Sequence, residues 1–186
     1  MHRFTASMAV LLLLAAPAAA AVVKEMNLEQ LCAHAATIFA GICVSAESDD
    51  AVAVSYTFKV YHCFKGAPSD TVTVRMHKTA AALARAPVYR PGQEVFLFLL
   101  PESPQGFTSP VGFGQGSFHI TRDPDGKRMV ANERDNLRLL SGMDIRRFRA
   151  GASSRAVAAA ATSSGRGPLA YEDFAALVTV LTAGEK

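Results

Sequence analysis

The chain has 186 residues, half of them hydrophobic, and a formal net charge of +3. So small a charge excludes the basic stripe with which a protein grips nucleic acid, and no nucleic-acid partner is expected. Tryptophan is absent, which removes one of the commonest anchors of carbohydrate and protein interfaces.

Residues 1–21 read as a secretory signal. Met1-His2-Arg3 is a short positive start, Met8 to Ala16 is an apolar core, and Pro17-Ala18-Ala19-Ala20-Ala21 offers small residues for cleavage after Ala20 or Ala21. The apolar core is shorter than the roughly 20 residues a spanning helix needs. The mature protein is therefore expected to be secreted or periplasmic, with no membrane span after cleavage. The remainder divides into a domain over 22–150, an Ala/Ser/Gly-rich linker over 151–167 and a C-terminal helix over 168–186.

In chain order, Asn27 followed by Gln30 is a capping-box pattern, and Leu28, Leu31 and Cys32 share one face of the short helix it would start. Ile38 to Ser45 predicts a first strand, closed by the polar turn Glu47-Ser48-Asp49-Asp50. The second, over 53–64, alternates Tyr56, Phe58 and Val60 with Thr57, Lys59 and Tyr61, the period of a half-buried strand. A third follows over 70–77. Lys78 to Ala86 is alanine-rich, a short helix or covering loop that Pro87 ends.

Tyr89 to Gln93 reads as a turn, and Glu94 to Leu100 is a nearly unbroken apolar run, as in a strand buried on both faces. Pro101 to Pro110 is a loop stiffened by three prolines. Gly112, Gly114 and Gly116 permit a tight bend into a fifth strand over 117–121. Asp123-Pro124-Asp125-Gly126 turns the chain into a short sixth strand over 127–131. Leu137, Leu140, Met143 and Phe148 suggest helical turns. Pro168 to Ala183 predicts an amphipathic helix with the stripe Phe174, Leu177, Val178 and Leu181.

Three cysteines, in an oxidising compartment, predict one disulfide and one thiol. A hairpin turning at Asp49-Asp50 sets Cys43 opposite Phe58 or Lys59, too far from Cys63 to bridge. Cys32, just ahead of the first strand, can return to the far end of the second, so Cys32–Cys63 is the expected pair.

No catalytic pattern emerges, and the chain is expected not to be an enzyme. His34, His62, His77 and His119 lack metal-ligand spacing, so neither a metal nor a cofactor is expected. The glycines of 112–116 lead into a strand, leaving no helix N-terminus for phosphate. Cys63 and its neighbour His62 point to opposite strand faces. The one charge feature is the basic cluster Arg146, Arg147 and Arg149, followed by Arg155 and Arg166.

Four stretches together resemble a known family: Ala36-Thr37-Ile38-Phe39-Ala40-Gly41, Tyr56-Thr57-Phe58-Lys59-Val60 with Phe64-Lys65-Gly66, Gly92-Gln93-Glu94-Val95-Phe96-Leu97, and Gly116-Ser117-Phe118-His119-Ile120. They are similar to the netrin-like module of the tissue inhibitors of metalloproteinases, over about Leu28 to Ala131. The resemblance implies a five-stranded OB-type barrel closed by helices; with the strands and helices read above, the expected fold is mainly β, a five-stranded (or six-stranded) OB-type barrel with a short N-terminal helix and a C-terminal helix. The inhibitors' zinc-chelating device is a disulfide-bonded N-terminal cysteine. No cysteine precedes Cys32 here, so that residue has no counterpart. The expectation is an exported, non-enzymatic protein-interaction module with an unknown protein partner, a protease being one candidate. Its alternatives are a protease inhibitor acting through the Pro101 to Pro110 loop, with Phe107 in it, and an envelope-surface binder using Arg146, Arg147 and Arg149.

Overall fold

The computed structural model describes residues 24–48, 52–66, 69–78, 87–143 and 166–183. Helix α1 (Leu28–His34) begins at a completed capping box: Asn27 Oδ1 accepts from Gln30 N–H and Gln30 Oε1 from Asn27 N–H, both at 3.0 Å. The strands are β1 (Thr37–Ser48), β2 (Ala53–Lys65), β3 (Thr71–His77), β4 (Glu94–Leu99), β5 (Ser117–Arg122), β6 (Arg128–Asn132) and β7 (Leu169–Ala170), and helix α2 spans Tyr171–Ala183. The strands form one antiparallel sheet in the order β3-β2-β1-β4-β5-β6-β7. Three hairpin-linked strands with a fourth returned beside the first make a Greek key.

The sheet has seven strands where five or six were expected. The extra one is β7, whose two residues pair with Val130 and Met129. That pairing holds Leu169 and Ala170 extended, so α2 starts at Tyr171 rather than Pro168. Leu137 to Met143 forms hydrogen-bonded turns rather than helix. The expected helix or loop over 79–86, Phe148 and the linker over 151–165 lie outside the described residues.

Both faces of β4 are buried, as its unbroken apolar run implies. Phe96 and Phe98 enter a core with Ile38, Phe118, Leu31 of α1 and Phe174 of α2, whereas Val95, Leu97 and Leu99 enter a second core with Phe39, Tyr56, Phe58 and Val74. The second core is centred on Tyr89, which the sequence assigned to a turn. Tyr89 lies edge-on to Tyr56 and Phe58, and its hydroxyl shares a 2.9 Å hydrogen bond with Ser117 Oγ. A buried phenol needs such a partner, since an orphaned hydroxyl costs about 1–3 kcal/mol.

Irregular register explains why the alternation of β2 fails at its far end. Ala40 pairs with His62 and Gly41 with Val60, leaving Tyr61 as an extra residue; Phe64 is extra in the same way between Lys65 and Cys63. Each bulge bends the strand and re-aims a side chain, and Phe64 thereby stacks on Phe96 in the helix-covered core. Gly41 sits at this point because no side chain fits: an added Cβ would lie 2.6 Å from the backbone oxygen of Lys59. Gly41→Ala is expected to cost about 1–3 kcal/mol by overpacking, read as a lowered midpoint in urea denaturation.

Candidate functional site

The strongest candidate surface is the loop that follows β4, laid against the outer edge of β3. Leu100 N–H donates to Ser109 O and Thr108 Oγ1 to Leu100 O, which closes the base of the loop. Inside it, Ser103 N–H donates to Phe107 O at 2.8 Å, Gly106 N–H to Ser103 O at 2.9 Å, and Phe107 N–H to Ser103 Oγ at 3.1 Å. Thr108 N–H then reaches across to Arg75 O of β3 at 3.0 Å. Phe107 stacks on the His77 ring with centroids 3.8 Å apart, and the Arg75 guanidinium carbon lies 4.6 Å from the same ring's centre. Phe107, singled out from sequence as a contact residue, is thus the brace of its loop. The outward side of the loop is Pro101, Glu102, Pro104 and Gln105, all exposed.

A second cluster escaped the sequence reading because its members are far apart in the chain. The bulge at Tyr61 brings its hydroxyl to 3.5 Å from Glu94 Oε2 and within electrostatic reach of Tyr171, at the start of α2. Arg128 of β6 lies over the Tyr171 ring at 3.8 Å and pairs with Glu172 at 2.7 Å. Burial, reinforced by the phenol of Tyr171 and the carboxylate of Glu94, holds Tyr61 far above the ordinary tyrosine range. Tyr171 is raised chiefly by burial as well, so both stay neutral phenols at physiological pH. The charges and hydroxyls of this cluster are committed to one another, and it fastens α2 to the sheet.

No disulfide joins Cys32, Cys43 and Cys63 among the described residues. Cys43 does face Phe58 in the register, but Cys32 is buried in the helix-covered core while Cys63 is exposed, its thiol donating to Lys65 O and Gly66 O. Burial pushes both the Cys43 and the Cys63 thiols above their ordinary value. A raised pKa means less thiolate at neutral pH, and the thiolate is the nucleophile. Alkylation of the native protein is therefore expected to modify Cys63 alone, slowly at pH 7 and about tenfold faster per pH unit up to its pKa. Thiol counting after denaturation without reductant should return three; a count of one would show that one disulfide forms, and peptide mapping would then test the Cys32–Cys63 pairing.

Arg146, Arg147 and Arg149 lie outside the described residues. Among the described residues there is no cluster of histidine, cysteine and carboxylate groups able to hold a metal, and no helix long and apolar enough to cross a membrane. His62 stacks on Phe64 and His77 on Phe107, whereas His119 Nδ1 lies 2.6 Å from Gln93 Nε2. No known protein family matches the chain, and no curated protein is significantly similar to it.

Proposed function

We propose that this chain is an exported, non-enzymatic protein-interaction module on an OB-type barrel, as the netrin-like resemblance implies. The barrel reading is supported by the Greek-key order of the first four strands and by the core around Tyr89. It is supported further by the bond from Thr108 N–H to Arg75 O, which draws the segment after β4 to the outer edge of β3. The observation that carries the function is the bracing of the 101–110 loop by Ser103, Phe107 and Arg75. A loop held in one shape binds without the ordering cost that a mobile one incurs.

The test compares the mature protein with a Ser103→Ala, Phe107→Ala double variant in capture of proteins from an envelope extract. The variant should lose its captured partner while its far-UV spectrum stays native. Equal capture by both would remove the loop from the interaction. A second reading, inhibition of an extracytoplasmic protease, is favoured by the exposed ridge of Pro104 and Gln105 above the Ser103 to Phe107 brace. It is checked on the same pair of proteins with a panel of serine proteases. A matrix-type metalloproteinase should be uninhibited at micromolar protein, because the chain has no N-terminal cysteine to fix an amine over zinc. Salt separates both readings from adhesion through Arg146, Arg147 and Arg149, which would weaken as ionic strength rises.

A further inference from the structure

The outer edge of β3 is guarded along only part of its length. Asp70 O accepts from Val60 N–H and Lys78 N–H donates to Val52 O, both at 2.8 Å, so the even-numbered residues of β3 direct their backbone groups to β2. Those of Thr71, Thr73, Arg75 and His77 point outward. Arg75 O accepts from Thr108 N–H, and the 101–110 loop covers that end. At the other end Ser69 Oγ donates to Thr71 O at 2.6 Å, which leaves the carbonyl a second lone pair. Among the described residues, nothing pairs with the outward N–H of Thr71 or with either outward group of Thr73. Edge groups of this kind template a further strand, and proteins commonly block them with charge, proline or a bulge. Thr71 to Val74 has none of the three.

We infer that this edge pairs with the same edge of a second copy of the chain, antiparallel, about a two-fold axis at Val72. The inference goes beyond the protein-interaction reading and stands without it. Thr71-Val72-Thr73 reads the same in both directions, so the axis sets Thr71 of each copy opposite Thr73 of the other. Their outward N–H and C=O groups then form two hydrogen-bonded pairs, the self-complementary arrangement of a two-fold dimer. The side chains match as well. Thr57 and Thr73, opposed across β2 and β3, already share a hydrogen bond between their hydroxyls at 3.4 Å, and the axis repeats that threonine pair between copies. On the other face Val72, half-buried at the rim of the core around Tyr89, meets Val72 of the second copy and loses contact with water. Lys59 and its counterpart stay at least roughly 14 Å apart across the strands, beyond the about 10 Å screening length at 0.1 M salt, so they do not oppose the pairing. The loop at Arg75 stops the ladder, which keeps the interface small and the dimer weak, with a Kd on the order of 100 µM.

Sedimentation velocity of the mature protein, over concentrations bracketing that Kd, should show a reversible monomer–dimer equilibrium. A reductant is kept present so that the exposed Cys63 thiol contributes nothing. Thr73→Pro removes only an outward N–H, a change that edge strands tolerate. It should keep a cooperative melt yet dimerise at least about tenfold more weakly than the parent. Val72→Lys and Val72→Glu each set like charges face to face at the axis, and each alone should stay monomeric. Mixed in equal amounts they should associate again, because lysine then faces glutamate; a mere loss of folding gives no such rescue. A parent that stays monomeric throughout, a Thr73→Pro variant that dimerises as the parent does, or a mixture of natively melting Val72 variants that stays monomeric would each overturn the assignment.

Discussion

Phe58→Ala is expected to lower the unfolding free energy by about 3–5 kcal/mol, while Lys59→Ala, one residue along, should stay within about 0.5 kcal/mol of the parent. Phe58 is fully buried in a strand flanked on both sides, by β1 and β3. Its ring lies 5.8 Å from Phe39 and 5.1 Å, edge-on, from Tyr89. Those neighbours cannot collapse into the space it vacates. Tyr89 is tied to Ser117 by its hydroxyl, and Phe39 is fixed in a strand with partners on two sides. The cavity therefore persists, and its cost adds to the lost transfer energy. Lys59 points to the outer face and is exposed. Thermal and urea melts of the two variants check the result; equal losses would mean that the facing of β2 is reversed.

Asn136→Ala should cost as much, about 3–5 kcal/mol, without emptying any apolar space. Asn136 is buried, and its Nδ2 donates to Val130 O and Gly167 O, both at 2.9 Å, while its Oδ1 accepts from Asn132 N–H at 3.0 Å. Asn132 returns the favour to Asn136 N–H through its own Oδ1 and donates from Nδ2 to Gln115 O. Gln115 in turn holds Lys24 O and Met26 N–H. One polar network thus joins the first described residues, the entry to β5, the end of β6 and the segment that becomes β7. Alanine orphans two buried backbone groups and a half-buried one, at about 1–1.5 kcal/mol each. It also leaves at φ 55° a residue that lacks the local hydrogen bonding by which asparagine tolerates the left-handed conformation. A urea midpoint unchanged by Asn136→Ala would show that water replaces these bonds.

The local pattern of the sequence determined much of this protein by itself. The capping box at Asn27, the alternation of Tyr56, Phe58 and Lys59, and the two-sided burial of Val95 to Leu99 all stand as read. Each depends on neighbours within a few residues, where spacing along the chain dictates which side a group faces. The same reading failed wherever the deciding partner was distant. Leu169 and Ala170 are extended only because Val130 and Met129 are there to pair with them. Tyr89 is core because β2 and β5 converge on it, and Tyr61 turns toward Tyr171 because β1 and β2 slip by one residue at Gly41. Hydrophobic period is a local property and can be read along one strand, but register and cross-sheet contact are relations between strands. Only the assembled sheet decides those.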